Sequence, residues 1–327
     1  MSSITCYLSR VMSSNRVAIY TLLIIAVTAC SSARIDKPSD EIPEGARRLI
    51  EAYPDYVVGY KDNMIVFSDG SSMVYDDGKC RTIDEMHLEQ DVEEIFFQEY
   101  DKSIYPPPYG YDPGRYRCAE FFGKIYGGTR EEAEKNLVYV DWCPKLGGKP
   151  VLFTEVAGAA EALKRVSDEL EQHPELKSWV LNAQTFCWRT IQGMTRLSPH
   201  CYGIAIDLEA RRSHYWKWTY PHAKEHAKLK YYNTFNMKVV EIFERHGFIW
   251  GGRWYHFDTM HFEYRPEINM PEYAITPKQR VITVGKVAPK IEKQIYYNVF
   301  KEHKKSSAEE QLRAEFYSKV FKTPYHE

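Results

Sequence analysis

Two histidines and an aspartate, His200, Asp207 and His261, are the residues whose types and spacing can do the most chemistry. A catalytic zinc needs three protein ligands and one open position, and two imidazoles with a carboxylate meet that need. His200 and Asp207 lie in Ser198-Pro-His200-Cys-Tyr-Gly203-Ile-Ala205-Ile-Asp207. His261 lies in Trp250-Gly-Gly252-Arg-Trp254-Tyr-His256-Phe-Asp258-Thr-Met-His261-Phe-Glu263. Asp258, three residues before His261, is placed to act as general base toward an activated water rather than as a fourth ligand. Around this set, Ser198 is a candidate hydrogen-bonding partner that orients a ligand, Trp254 a wall of a substrate cleft, and His256 an assistant to the base. Attack on an amide builds negative charge on oxygen, for which Arg189 is the first candidate and Arg196 the second. The other histidines, such as His87, His214 and His226, read as packed or surface residues. Cys201 reads as a buried filler or a disulfide partner, because a nucleophilic thiol needs a base close in space.

Positioning these groups requires particular elements. Gly203 and Ala205 permit close backbone approach while Ile204, Ile206 and Leu208 can face a core, so a turn running into a strand brings His200 and Asp207 to one point. His261 opens a second strand, over 260–264, that must pair nearby. The periodicity of Val156, Ala159, Ala160, Leu163, Val166 and Leu170 predicts a helix within Glu155–Leu176. A second is expected over Asn233–His246, capped by Asn233 or Thr234 and stopped at Gly247. Upstream, the runs 56–60, 64–68 and 72–75, separated by Lys61-Asp62-Asn63 and Asp69-Gly70-Ser71, predict a small meander. The proline-rich stretch Tyr105–Gly114 reads as the connection into the main domain. This mixture indicates an α+β protein: a small antiparallel sheet with flanking helices holding a mononuclear zinc site, plus a small β-rich N-terminal segment over 46–110.

The chain has 327 residues with 43 Lys+Arg against 45 Asp+Glu, so it carries no global basic field for a polyanion, and nucleic acid is not an expected partner. Residues 1–30 contain Arg10 and Arg16, no acid, and the apolar stretch Val17–Ala29, which is the pattern of an export signal. Residues 31–45 read as a polar tether and 271–327 as a mostly helical tail. Five cysteines follow the leader, an odd number that leaves at least one free thiol while one disulfide is possible.

Ser198-x-His200-x-x-Gly203-x-Ala205-x-Asp207, followed by Trp-Gly-Gly-x-Trp and Asp258-x-x-His261-Phe-Glu, resembles the M15 family of zinc peptidases. These include D-alanyl-D-alanine carboxypeptidases and the L-alanyl-D-glutamate endopeptidases of phage endolysins. The resemblance covers roughly residues 115–265 and implies a hedgehog/D-Ala-D-Ala peptidase-like fold over 111–270. It makes His200, Asp207 and His261 the ligands of Zn2+ and Asp258 the catalytic acid/base. Asp258-x-x-His261 after Trp250-Gly-Gly is nearer the endopeptidase-like branch. Val27-Thr-Ala-Cys30 resembles the lipobox of bacterial lipoproteins, which implies lipidation at Cys30 and a tether outside the cytoplasm.

These readings converge on a lipid-anchored zinc peptidase of the bacterial cell envelope that hydrolyses peptidoglycan stem-peptide bonds. The alternative of another class is a non-catalytic, zinc-stabilised envelope binding module resembling the hedgehog signalling domain. Asp258 argues against that alternative, since a purely structural site is normally closed by a fourth protein ligand.

Overall fold

The computed structural model describes residues 42–191 and 194–271. The export leader, Cys30, most of the tether and the tail beyond Pro271 lie outside the described residues.

The elements form where the pattern of apolar residues requires them. Near the N-terminus, the helix Glu44–Ala52 leads into a meander of β1 (Val57–Lys61), β2 (Met64–Phe67) and β3 (Ser72–Val74), each antiparallel to the next. Asp62 and Asn63 both take positive φ, the geometry of a tight turn matched to strand twist, so β1 and β2 register across it. Alternation buries Val57, Ile65 and Phe67 on one face.

A hairpin of β4 (Leu137–Val140) and β5 (Val151–Thr154) precedes the main helix Ala159–Leu170. That helix buries Ala159, Ala162, Leu163, Val166 and Leu170 along one stripe. It is shorter than the sequence pattern predicts. Ala157 and Gly158 both sit at positive φ, which breaks propagation at the N-terminal side, and Pro174 opens a separate 3-10 turn beyond it.

The central sheet has the order β6-β7-β9-β8, all antiparallel, from Ala183–Gln184, Ala205–Leu208, His261–Tyr264 and Phe248–Trp250. The helix Met237–Arg245 packs behind it, burying Val239, Val240, Ile242 and Phe243. It starts later than expected. Asn233 turns its Oδ1 to the Phe235 amide at 2.7 Å and the Thr234 hydroxyl donates to Arg212 O, so Asn236 becomes the cap instead, accepting from Lys238 N at 2.9 Å. Gly247 at φ +89° ends it as predicted.

The N-terminal region shares its core with the central sheet. Ala46, Leu49, Val57 and Phe67 belong to the same buried cluster as Phe243, Phe248 and Phe262. Three long-range hydrogen bonds tie the parts together: Tyr53 Oη donates to Glu267 at 2.6 Å, and Tyr100 Oη donates to Glu244 at 2.6 Å while accepting the Trp250 amide. Cys118, Cys143, Cys187 and Cys201 are free thiols, so among the described residues none of these four is paired with another.

Candidate metal centre

One face of the sheet carries the predicted ligands and the other carries the core. On β7 the side chains of Ile206 and Leu208 enter the core, which turns Ala205 and Asp207 outward; on β9 Phe262 and Tyr264 enter it, which turns His261 and Glu263 outward. Registry places Asp207 directly opposite His261 and Ala205 opposite Glu263, so the first two are a cross-strand pair. His200 comes from the 3-10 turn Pro199–Tyr202 that feeds β7. Gly203 ends that turn at φ +68°, where a Cβ would lie 2.7 Å from the Leu137 side chain and 3.1 Å from Thr154 N. Only glycine lets the turn dock on β5, with the Thr154 amide donating to Gly203 O.

The ligand atoms of His200, Asp207 and His261 all lie within 4.8 Å of one another. His200 Nδ1 donates to Thr185 O at 2.6 Å, which turns Nε2 toward the other two residues. That Nε2 is sealed from solvent, has no hydrogen-bond partner, and faces Asp207 Oδ2 at 3.2 Å. His261 Nε2 faces Glu263 Oε1 at 2.8 Å, leaving Nδ1 directed at Asp207 Oδ1, also at 2.8 Å. A lone pair opposed to a carboxylate oxygen is repulsive unless something positive lies between them. In the bare protein a proton fills this role at His261: burial opposes its charge, but the Asp207 and Glu263 carboxylates outweigh burial and push its pKa up to about 10. Burial likewise opposes ionisation of Asp207, yet His200 and His261 hold its carboxyl well below the usual range. Two imidazoles and a carboxylate, with one donor atom orphaned, fit a divalent cation.

Three contributors to this arrangement carry no role in the sequence reading. Glu263 orients His261, and Arg117 in turn holds Glu263 through Nε–Oε2 at 2.9 Å and a second contact from its terminal nitrogen to Oε1. Glu263 is completely buried, and although burial raises its pKa, Arg117 and His261 keep it well below the ordinary carboxylate value. A ligating histidine backed by a carboxylate is the usual means of fixing tautomer and basicity. Thr185 supplies the equivalent for His200. The signal for Glu263 is the His-x-Glu spacing on a strand, which puts both on one face. For Arg117 and the Thr185 carbonyl no local signal exists.

Asp258 is brought to the site by the Trp-Gly-Gly turn. Its amide donates to Gly251 O at 3.0 Å, its carbonyl accepts from His261 N, and a Cβ on Gly251 would lie 2.6 Å from Asp258 O. Gly252 is equally constrained, since its Cβ would overlap the Trp250 ring. Asp258 Oδ1 is sealed and unpartnered. Burial, reinforced by the nearby Asp207 and Glu263 charges and opposed by His261 and Arg189, pushes its pKa up to about 7.

The remaining predicted residues divide. Arg189 is exposed, with Nη1 3.5 Å from Thr190 O, and its charge acts on Asp258 without bonding to it. Ser198 is buried and its amide bonds to Arg189 O, but the group that orients His200 is the Thr185 carbonyl, because the 3-10 turn aims the ring at the end of β6. Trp254 is buried, donates its indole N–H to Pro113 O, and lies 5.8 Å from the His261 ring; it backs the ligand instead of walling an open cleft. His256 is removed from the chemistry altogether. Its Nδ1 bonds to Asp112 at 2.6 Å, its Nε2 to Glu225 O at 2.9 Å, and its ring packs on Trp216, so neither nitrogen is left to assist Asp258. Cys201 is a buried filler: its Sγ bonds to the backbone of Arg189, and burial raises its pKa. Among the described residues one other group, Asp76, Asp91 and Glu93, brings three acidic oxygens equally close.

Residues 192–264 match the family model described as D-alanyl-D-alanine carboxypeptidase, which supports placing this segment with the M15 peptidases. The matched segment contains His200, Asp207, Asp258, His261 and Glu263, whereas Arg117, Thr185 and Arg189 lie outside it. No curated protein and no solved structure matches the chain.

Proposed function

We propose that the chain is a zinc-dependent peptidase that hydrolyses peptidoglycan stem peptides, of the D-Ala-D-Ala carboxypeptidase or L-Ala-D-Glu endopeptidase type, exported and held to a membrane by lipid on Cys30. The observation that carries the reading is the pair of sealed, unpartnered polar atoms, His200 Nε2 and Asp258 Oδ1, beside the Asp207–His261 cross-strand pair.

His200 through Nε2, His261 through Nδ1 and Asp207 through its carboxylate would hold the cation. A bound zinc supplies Lewis-acid activation of water and of the scissile carbonyl. The protein's part is then proton handling and orientation. With a pKa near neutrality, Asp258 takes a proton from the attacking water and returns it to the leaving amine. Glu263 keeps the His261 ring fixed throughout, and the exposed Arg189 guanidinium is the donor available to the developing oxyanion. In the non-catalytic module of the alternative reading, Asp258 has no task.

Incubation of the full chain with purified sacculi, followed by mass analysis of released muropeptides, tests the reading and identifies the bond. Release of peptides that ceases with chelation supports it; binding to sacculi without release supports the module.

A further inference from the structure

Asp258 has a neighbour across the backbone to which the sequence reading gives no role. Tyr215 forms an isolated antiparallel bridge with it. Trp216 N donates to Phe257 O and Thr259 N to His214 O, both at 2.9 Å, so hydrogen bonds flank the Tyr215–Asp258 pair and none joins it. In a pair of this kind the two side chains leave on the same face, with Cβ atoms about 4.5–5.5 Å apart. Trp216 and Phe257, which alternate to the opposite face, are both buried, Trp216 against the His256 ring at 4.6 Å.

The phenol that shares a face with Asp258 is unused. Tyr220, Tyr231 and Tyr255, from the same part of the fold, each donate their hydroxyl to a backbone carbonyl, of Lys230, Gly252 and Ala227 respectively. Tyr215 is half-buried with its ring edge-on to Trp218 at 5.7 Å, and among the described residues its hydroxyl has no hydrogen-bond partner. Asp258 Oδ1 is likewise without one. Burial, reinforced by the Asp258 and Glu225 charges and opposed by Arg115 and Arg189, pushes the phenol's pKa up to about 12. It therefore stays an O–H donor through the range in which Asp258 ionises.

We propose that Tyr215 is a further catalytic residue, whose hydroxyl donates a hydrogen bond to the scissile carbonyl oxygen as that oxygen gains charge. This rests on the peptidase reading above. A phenol is longer than the side chain of an aspartate, so from paired backbone positions its hydroxyl extends past the carboxylate, into the space where a carbonyl attacked by the activated water has to lie. The bridge also gives Tyr215 what the exposed Arg189 lacks, a position fixed relative to the base. No proton is transferred: the O–H bond persists, and the hydrogen bond strengthens as the oxyanion forms.

The test compares the full zinc-loaded chain with Tyr215→Phe, which removes the hydroxyl and keeps the ring, thermal melts checking that both are folded. On peptide release from sacculi, kcat is expected to fall by about 10²- to 10³-fold with KM little changed. The acidic limb of the pH profile, set by Asp258, should stay in place. A phosphinic dipeptide analogue, whose tetrahedral oxygen stands where the oxyanion forms, should bind about 10- to 100-fold more weakly to the variant by calorimetry. An unchanged kcat or an equal affinity for the analogue overturns the proposal, and so does a displaced acidic limb, which would show the hydroxyl acting on Asp258 instead of on the substrate. A parent chain that releases nothing from sacculi refutes the peptidase reading and the role of Tyr215 with it, whereas an active parent with an unaffected Tyr215→Phe overturns that role alone.

Discussion

The molecule holds two clusters of three potential ligands, and they differ in what each oxygen or nitrogen is already doing. In His200/Asp207/His261 the far side of each imidazole is committed, one to Thr185 O and the other to Glu263, so that both near sides point at Asp207, His261 Nδ1 hydrogen-bonded to it at 2.8 Å and His200 Nε2 facing it without a hydrogen bond. In Asp76/Asp91/Glu93 the donors are all carboxylates, and those of Asp76 and Asp91 are already used by nearby backbone amides. Asp76 Oδ1 accepts the Gly78 amide at 2.7 Å, while Asp91 accepts the amides of Asp77 and Glu94, both at 3.0 Å. Proximity of donors is common to both. What sets the first apart is that other groups turn its donor atoms toward a shared point and leave one of them, His200 Nε2, unsatisfied there.

The strongest way to break this contrast is to remove donors from the first cluster. His200→Ala should abolish stoichiometric zinc, measured by elemental analysis, and abolish peptide release with it. Asp258→Asn should retain the zinc and lower the hydrolysis rate by about 10²- to 10⁴-fold, the usual contribution of a positioned acid/base. Retained hydrolysis in metal-free His200→Ala protein would contradict the account.

Next in size is the orienting carboxylate. Glu263→Gln keeps the shape but weakens the acceptor that holds His261 Nε2–H, and should lower zinc affinity by about 10- to 100-fold in a competitive chelator titration. Because Arg117 loses its counter-ion at the same time, the double variant Glu263→Gln/Arg117→Met should recover thermal stability without recovering zinc affinity.

A smaller effect is protonic. The bare site raises His261 from its ordinary 6.5 to about 10, so between those values the folded apo protein carries a proton that a cation must displace. Zinc uptake at pH 8 should therefore release about one proton per ion, seen as a buffer-dependent calorimetric enthalpy, and apparent affinity should fall as pH is lowered. No proton release would show that His261 is not a ligand.

The smallest effect belongs to the second cluster. Burial, with Asp76 and Asp91 adding repulsion, raises Glu93 from 4.5 to about 7, so the fold is penalised once Glu93 ionises. The penalty is absent below about pH 4.5, grows as pH rises and is complete above pH 7. Glu93→Gln should thus melt with the parent chain at pH 4 and be more stable at pH 8, by up to about 3 kcal/mol, with zinc content unchanged.

How much of this was legible from residues alone follows the range of each interaction. The meander, the two ligand strands and the Gly247 stop depend on neighbours a few positions apart, and their signals sit in the chain. So do the signals that bring the candidate ligands together, since alternation on β7 and β9 separates Asp207 and His261 from the core-facing Ile206 and Phe262. The helix starts were misplaced for local but unreadable reasons: the positive φ of Ala157, and the diversion of Thr234 to Arg212 O. Arg117 on Glu263, Asp112 on His256 and the Thr185 carbonyl on His200 are contacts between distant segments, or from backbone, and leave no mark in composition or spacing. His256 looked available because its sequence neighbour is Asp258, whereas in space its neighbours are Asp112, Glu225 and Trp216.

The central claim is that two imidazole nitrogens and one aspartyl oxygen converge on a single cation. Anomalous diffraction at the zinc edge from crystals of the full chain grown with zinc measures this directly. The account predicts a peak bounded by His200 Nε2, His261 Nδ1 and the Asp207 carboxylate, each at about 2.0–2.2 Å. Absence of density there in excess zinc, or a sole peak among Asp76, Asp91 and Glu93, would contradict it.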